Sequence, residues 1–411
     1  MPRRRRWTPV RGTALRIENP IERLLAAAID APGRLRRPAP AGAIDLSAVH
    51  DVLVLRLDRI GDVLMALPAL ADLRRALPSA RIRLAVGRWS EEVAGMAPVD
   101  DVILWSAPWA GRRGEGAEGR LSLARKARAL AARPPDVAID LQGDVRAVFL
   151  MRLTSARARV GYANTGGGSW LTHVVPLDET VSWVEQNRRA VELVAGPPRA
   201  TGTPAHVAAD PDWARALLDR EGLAGRRPLV GIHPSGGRTI KQWPVERWRE
   251  VARRLQEGFG ATVVVTGGAS DRALARALGE GLPRPVIDLS GRLSVAETMA
   301  VIGALDLFLS PDTGPMHMAC AMGTPSVAVF GPSAAERYFS ADLSPSPGRH
   351  VVVRRELWCA PCNLIRAPPE QCVDDITPEC LRIVTVDNVY AAAAGLLQAE
   401  PTPAARSGAE K

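Results

Sequence analysis

The sequence predicts an α/β protein with two doubly wound domains, and three observations support this fold class. Short apolar segments alternate with helical segments over residues 51–140, as in a parallel sheet covered by helices. The same alternation returns over residues 229–330. Residues 195–203, rich in glycine and proline, lie between them and are typical of an interdomain linker. A chain of 411 residues is long enough for two hydrophobic cores.

In the first half, the turn after the first strand is the segment most informative about function. It contains one glycine, Gly61, whereas a dinucleotide-binding turn needs several, which argues against a nicotinamide or flavin enzyme. Asp62 has two interpretations at this point: a helix N-cap, or a general base at the sheet edge. The first half is predicted to contain strands at 51–57, 82–86, 102–104 and 137–140, and a helix at 63–77.

Two polar loops in the second half are candidate anion sites. One follows a strand at 229–233 and contains Arg238, Thr239 and Lys241 among small residues, although it is not a Walker A loop. The other follows a strand at 307–309 and leads through Thr313 into a helix that includes His317. Free N–H groups at a helix start favour phosphate. Both loops should lie at the same sheet edge and face one ligand.

A further aspartate, Asp271, begins a predicted helix after the strand at 262–266. It could accept hydrogen bonds from ribose hydroxyls, or simply cap its helix. The other predicted elements of the second half are helices at 245–256, 294–305 and 316–322, and strands at 286–289 and 326–330.

Composition is that of a soluble globular protein, with 46% hydrophobic and 24% charged residues. No apolar run is long enough to span a bilayer, and no apolar core follows the basic N-terminus as it would in a signal peptide. We therefore expect a cytoplasmic protein. Five cysteines in that compartment do not indicate structural disulfides.

The net charge of +9 is concentrated at the N-terminus. Residues 1–40 contain ten arginines and three acidic residues, so they contribute +7 and the remainder of the chain only +2. The nearly neutral body argues against nucleic-acid binding. This arm, followed by a short amphipathic segment, could contact an anionic inner-membrane surface, or could be a solvated tail.

Four motifs follow one another along the chain: LRLDRIGDVLMALPAL (55–70), GIHPSGGRTIKQWPVERW (231–248), TGGASD (266–271) and SPDTGPMHMACAMGTPSVAVFGPS (310–333). Together they resemble the motifs of the ADP-heptose:lipopolysaccharide heptosyltransferases, which form glycosyltransferase family 9. The resemblance covers roughly residues 50–397, and its motifs occur in the family's order. It implies a GT-B architecture, in which two Rossmann-like domains with parallel sheets face each other across a central cleft.

The resemblance also implies a domain order. Residues 1–43 would form the basic arm and linker, 44–200 the acceptor-binding domain and 204–385 the nucleotide-sugar-binding domain. Residues 386–411 would form a helix that crosses back towards the first domain, followed by a tail.

Each site residue carried over from the family has an implied role. Asp62 matches the proposed catalytic base, and Lys241 matches the lysine that contacts phosphate. Asp312 would lie near the heptose, with Thr313 and Gly314 near the pyrophosphate. Thr239 lies in the same donor loop, His317 belongs to the D-T-G-x-x-H element, and Leu293 falls where an apolar residue would line the adenine pocket. Asp271, the candidate ribose contact, completes the predicted donor site.

The implied reaction is inverting transfer of heptose from ADP-heptose to an inner-core lipopolysaccharide acceptor bearing Kdo or heptose, without cofactor or metal. Asp210 and Asp212 have the D-x-D form of a metal motif but are predicted to cap a helix. Three alternatives stay open: another nucleotide sugar or acceptor, a non-catalytic nucleotide-sugar-binding protein, and nucleic-acid binding through the arm. A zinc site is a minor alternative, with Cys359, Cys362, Cys372 and Cys380 as ligands.

Overall fold

A computed structural model describes residues 42–110, 116–196, 210–362 and 377–399, together with residues 24, 28 and 372. The Arg-rich arm and its amphipathic segment therefore lie almost wholly outside the described residues. Most of the predicted interdomain linker and the C-terminal tail also lie outside them.

The first domain is organised around a six-stranded parallel sheet. Its strands are β1 (Asp51–Arg56), β2 (Arg81–Val86), β3 (Asp101–Leu104), β4 (Val137–Asp140), β5 (Ala158–Gly161) and β6 (His173–Val174). Their order across the sheet is β3-β2-β1-β4-β5-β6. The sequence analysis did not anticipate β5 and β6. The helices are α1 (Ile60–Ala76), α2 (Glu91–Ala94), α3 (Arg120–Ala129), α4 (Val145–Leu153) and α5 (Trp183–Ala195).

Helix α1 begins at Ile60, so the predicted start at residue 63 is wrong. The Asp62 carboxylate accepts a hydrogen bond from the Arg59 backbone N–H at 3.1 Å, which satisfies one of the unpaired donors at the helix start. Asp62 therefore belongs to the first turn of α1 rather than preceding it.

The second domain repeats this plan. Its strands are β7 (Leu229–Ile232), β8 (Thr262–Val265), β9 (Ile287–Asp288), β10 (Leu307–Pro311), β11 (Ser326–Val329) and β12 (His350–Val353). All are parallel, in the order β12-β11-β10-β7-β8-β9. The helices are α6 (Pro211–Arg220), α7 (Val245–Phe259), α8 (Arg272–Gly279), α9 (Val295–Gly303), α10 (Gly314–Met322), α11 (Ala335–Tyr338), α12 (Glu379–Arg382) and α13 (Val386–Gln398).

The last helix, α13, packs on the second domain. Its buried residues Val389, Ala393 and Leu396 share a core with Trp243 and Trp248 of that domain. The apolar face of α13 is covered by the second sheet and α7. These core contacts therefore do not include the predicted crossing of the helix towards the first domain.

Strand order in each sheet fixes where ligand loops converge. In an open α/β sheet, ligands bind outside the carboxyl ends of the strands, where the strand order reverses. That point lies between β1 and β4 in the first sheet and between β7 and β10 in the second. The loops that follow these four strands are therefore the candidate site. Across the described ranges, no helix has both the length and the apolar character that crossing a bilayer requires.

Candidate active site between the two domains

At the second sheet's reversal point, Lys241 and Asp312 form an ion pair. Lys241 Nζ lies 2.5 Å from Asp312 Oδ2, although the two residues come from different loops, after β7 and β10. The first loop folds back tightly: a Cβ on Gly236 would lie 2.5 Å from the Lys241 carbonyl carbon. The structure thus brings together two of the predicted donor-site residues.

This pairing controls the ionisation of Asp312. Burial by itself would raise the pKa of the carboxyl, but the ammonium of Lys241 outweighs that effect and lowers the pKa below its ordinary value. Asp312 is therefore a carboxylate at neutral pH. A carboxylate at this position can only accept hydrogen bonds, as from sugar hydroxyls, while the remaining N–H donors of Lys241 can reach a phosphate oxygen.

The start of α10 lies directly beside this ion pair. Thr313 occupies the N-cap position and Pro315 the first turn, and no side chain caps the helix. Gly314 has open space where a Cβ would stand. Backbone N–H groups at this helix start and the Thr313 hydroxyl are donors suited to an anion, and the binding of an anion here stays a prediction.

His317, one turn into α10, connects the two domains. Its ring packs on Gly61 of the first domain so closely that a Cβ there would lie 2.4 Å from the imidazole Cδ2. Nδ1 pairs with Ser340 Oγ at 2.8 Å. Burial lowers the pKa of His317, against the opposing effect of the Asp312 and Asp62 carboxylates. The neutral imidazole therefore lies between the carboxylates of Asp312 and Asp62.

Asp62 forms the first-domain side of the site. A quarter of its side chain is exposed, and its second oxygen lies 3.5 Å from the Arg56 guanidinium. Both interpretations of this residue are compatible with the geometry, because the carboxylate caps its own helix and is also partly exposed. Its role as a base stays a prediction.

A charged cluster that was not predicted from the sequence lies beneath Asp62. Arg56 is buried, lies 3.1 Å from Asp58, and donates to the backbone carbonyl of Leu141 beyond β4. Burial raises the pKa of Asp58 to about 8 and that of Asp140 to about 7, although Arg56 acts in the opposite direction on both. These two carboxyls are therefore partly protonated near neutrality. An arginine that ends an apolar strand was the available sequence signal.

A second missed feature is an aromatic and cationic stack at the interdomain contact. The Arg337 guanidinium of the second domain lies 4.8 Å from the Trp183 ring centroid, and Arg56 lies 5.7 Å from the same ring. Arg337 also donates to the Asp178 carbonyl at 2.8 Å. The next residue, Tyr338, places its ring 6.0 Å from Lys241 Nζ. Helix α11 therefore contacts both the stack on Trp183, which includes Arg56, and Lys241 of the second domain.

The remaining predicted donor residues lie at the same sheet edge but do not join the ion pair. Thr239 is exposed in a short 3₁₀ turn over Thr239–Lys241. Asp271 accepts a hydrogen bond from the Gly268 N–H at 2.8 Å, so its capping interpretation holds in the structure. Leu293 is partly buried against the hydrophobic core. Their predicted contacts with ribose, adenine and phosphate stay predictions.

The D-x-D segment is a helix cap, as expected. Asp210 accepts from the backbone N–H groups of Asp212 and Trp213, and Asp212 pairs with Arg215 at 2.8 Å. Within the described residues, which include Cys359, Cys362, Cys372 and Cys380, no group of three or more His, Cys, Asp or Glu side chains is arranged to hold a metal ion. The zinc alternative itself stays a prediction.

Comparison with known proteins identifies the family. The chain matches the model of glycosyltransferase family 9 (heptosyltransferase) over residues 123–371, which is 249 of its 411 residues. It is 28% identical over 334 residues to lipopolysaccharide heptosyltransferase 1 of Pseudomonas aeruginosa, covering 76% of this chain and 85% of that protein. It is 26% identical over 279 residues to lipopolysaccharide heptosyltransferase 3 of Escherichia coli, covering 66% of this chain and 79% of that protein.

Solved structures share the fold. A glycosyltransferase family 9 protein from Veillonella parvula superposes with a TM-score of 0.69 at 22% identity, covering 87% of this chain and 99% of that one. ADP-heptose LPS heptosyltransferase II of Escherichia coli gives 0.66 at 20% identity, covering 84% and 98%. The predicted GT-B fold class is confirmed. The family match over more than half of the chain shows that this protein belongs to glycosyltransferase family 9.

Proposed function

We propose that the protein transfers heptose from ADP-heptose to an inner-core lipopolysaccharide acceptor, with inversion at the anomeric carbon. One observation carries the proposal. The Lys241–Asp312 ion pair lies at the start of α10, and His317 of that helix packs on Gly61, the residue before Asp62. A donor-type site and a candidate base thus face each other across one interdomain contact. The names of the relatives supply the sugar and the acceptor class.

The proposed mechanism is a single displacement. Asp62 takes the proton of an acceptor hydroxyl while its oxygen forms a bond to the anomeric carbon. The bond between that carbon and the β-phosphate oxygen breaks, and its electron pair leaves with ADP. Lys241, Thr313 and the N–H groups of α10 stabilise the growing charge on the diphosphate. Asp312 accepts hydrogen bonds from the sugar and holds Lys241 in place through their ion pair.

We further propose that no divalent metal or other cofactor takes part. The supporting observation is that Lys241 and the uncapped start of α10 already supply positive charge beside Asp312. Excess chelator is therefore expected to leave the rate of ADP release unchanged, as measured with and without added Mg²⁺ or Mn²⁺. Loss of activity in chelator, restored by either cation, would contradict this part of the proposal.

We also propose that the reaction takes place at the cytoplasmic face of the inner membrane, with the protein bound peripherally. The support is chemical: a lipid A acceptor is held in a bilayer, and a transferase must reach its sugar headgroup from the aqueous side. A nucleic-acid partner is not proposed.

The decisive experiment offers purified protein a panel of donors with a Kdo-bearing acceptor. Nucleotide release is measured with ADP-heptose, UDP-sugars and GDP-sugars, each with and without acceptor. We expect ADP release only when ADP-heptose and the acceptor are both present. Turnover of a UDP- or GDP-sugar would favour the alternative in which the protein uses another nucleotide sugar. Nucleotide-sugar binding without release in any pairing would favour the non-catalytic alternative.

A further inference from the structure

Helix α3 (Arg120–Ala129) carries an unusual surface that the proposed mechanism does not use. Its ten residues, RLSLARKARA, include four cations and no acidic residue. Leu123 and Ala127 are buried and fix the inner face. The spacing of Leu121, Arg125 and Arg128 places these three on one outer face, and Arg120 is exposed at the start of the helix.

The cations of this outer face are available to a partner. Lys126, nearer the opposite side, is engaged, since its Nζ lies 2.5 Å from Glu118. Arg120, Arg125 and Arg128 are exposed, and within the described part of the chain they make no side-chain hydrogen bond or ion pair. Three arginines on one helix, with no acidic partner among the described residues, produce a local positive field on a body that is otherwise nearly neutral.

An exposed leucine lies among these arginines. Leu121 is 75% exposed, one of few large apolar side chains so open in the described residues. A leucine with this exposure adds nothing to the core, and a purely electrostatic polyanion site does not require it. A combination of basic side chains and an apolar side chain on one helix face is instead typical of contact with a membrane interface.

The location of α3 agrees with such a contact. The helix follows β3, so its first turn comes from the loop at the carboxyl edge of the first sheet, the edge at which Asp62 also lies. It packs beside α4 on the first domain and is distant in sequence from every donor-site loop. The surface therefore belongs to the domain that would receive a lipid-anchored acceptor.

We propose that Arg120, Leu121, Arg125 and Arg128 form a docking surface for an anionic phospholipid bilayer. The arginines contact lipid phosphates while Leu121 enters the headgroup region. Docking through α3 brings the acceptor-binding edge of the first domain to the membrane and leaves the second domain free to exchange donor in solution. The orientation argument rests on the proposed function, whereas the binding itself does not.

The test is co-sedimentation of the full chain with vesicles of phosphatidylglycerol and phosphatidylethanolamine in equal parts, and with phosphatidylcholine vesicles. Each arginine near an anionic surface contributes about fivefold to partitioning, so Arg125→Glu/Arg128→Glu is expected to weaken binding to the anionic vesicles by about 25-fold or more. The matched control is Arg220→Glu/Arg226→Glu, two exposed arginines of the second domain with the same charge change. It should bind nearly as the wild type.

A second variant separates membrane docking from general polyanion binding. Leu121→Ser should weaken vesicle binding severalfold, with most of the effect persisting at high salt, and should not change retention of a duplex DNA probe. Equal losses of vesicle binding in the two double-arginine variants would overturn the proposal. Wild-type vesicle binding by Arg125→Glu/Arg128→Glu would also overturn it, and would assign docking to the N-terminal arm. An effect of Leu121→Ser on DNA but not on vesicles would also overturn it. No donor is present, so this assay is independent of the transfer reaction.

Discussion

Asp62→Asn is expected to reduce kcat by about 10²–10⁴ while leaving ADP-heptose binding nearly unchanged, because a positioned base contributes that factor to rate. Asparagine is the informative substitution. Its amide oxygen can still accept the Arg59 N–H that Asp62 accepts at 3.1 Å, so the start of α1 is preserved while the proton acceptor is removed. The measurements are steady-state rates of ADP release and donor affinity by calorimetry.

The control for this prediction is another capping aspartate. Asp210 caps α6 through two backbone N–H groups and is exposed, far from the donor loops in sequence. Asp210→Asn should keep wild-type kcat, which would separate loss of a base from loss of a cap. Wild-type turnover by Asp62→Asn would show that the proton goes elsewhere, and Asp58 or His317 would then be the next candidates.

Lys241→Met is expected to weaken ADP binding by about 10- to 100-fold, since a hydrogen bond to a charged group contributes about 1.5–3 kcal/mol. It should also lower kcat, because the lysine would stabilise the leaving diphosphate as its charge grows. Calorimetry with ADP and single-turnover rates with ADP-heptose distinguish these two effects. Wild-type affinity for ADP would remove Lys241 from the donor site.

The same substitution should change stability in a pH-dependent way. In the native protein the pKa of Asp312 is lower than in the unfolded chain, so its ionisation stabilises the fold at any pH above the ordinary pKa of an aspartate. This stabilisation is lost as the pH falls through the lower pKa of the folded state. Without Lys241, burial is the main influence on the pKa of Asp312, and it raises that pKa because it disfavours the charged carboxylate. The cost of an unpaired buried charge is about 3 kcal/mol near neutrality, and it should shrink as the pH is lowered and Asp312 takes up a proton.

A double variant separates the two consequences. Lys241→Met/Asp312→Asn removes both charges, so thermal stability near pH 7 should recover most of the loss while ADP affinity stays low. Melting temperatures of the single and double variants between pH 5 and pH 8 provide the measurement. If the double variant melts no higher than Lys241→Met, the ion pair seen at 2.5 Å does not control the ionisation of Asp312.

Local patterns were sufficient to predict much of the fold. Apolar runs such as 51–57 and 229–233 predicted central strands, because strands buried on both faces are continuous hydrophobic segments. Strands β5, β6 and β12 were not predicted; β6 and β12 are sheet edges, and β5 lies next to β6. These strands are short, and β5 and β6 include Gly161 and the exposed Val174, so the sequence pattern alone does not distinguish them from loops.

The sequence by itself therefore determined the two-domain α/β class, the family resemblance and the chemical types of Asp62, Lys241 and Asp312. Only the tertiary structure decided which of these side chains meet. The Lys241–Asp312 pair joins loops 71 residues apart, and the Arg337–Asp178 contact spans 159. Contacts between distant segments depend on strand order and on how two domains pack, and neither leaves a periodic signal in the chain. For the same reason the Arg56 cluster and the Trp183 stack became visible only in the folded molecule.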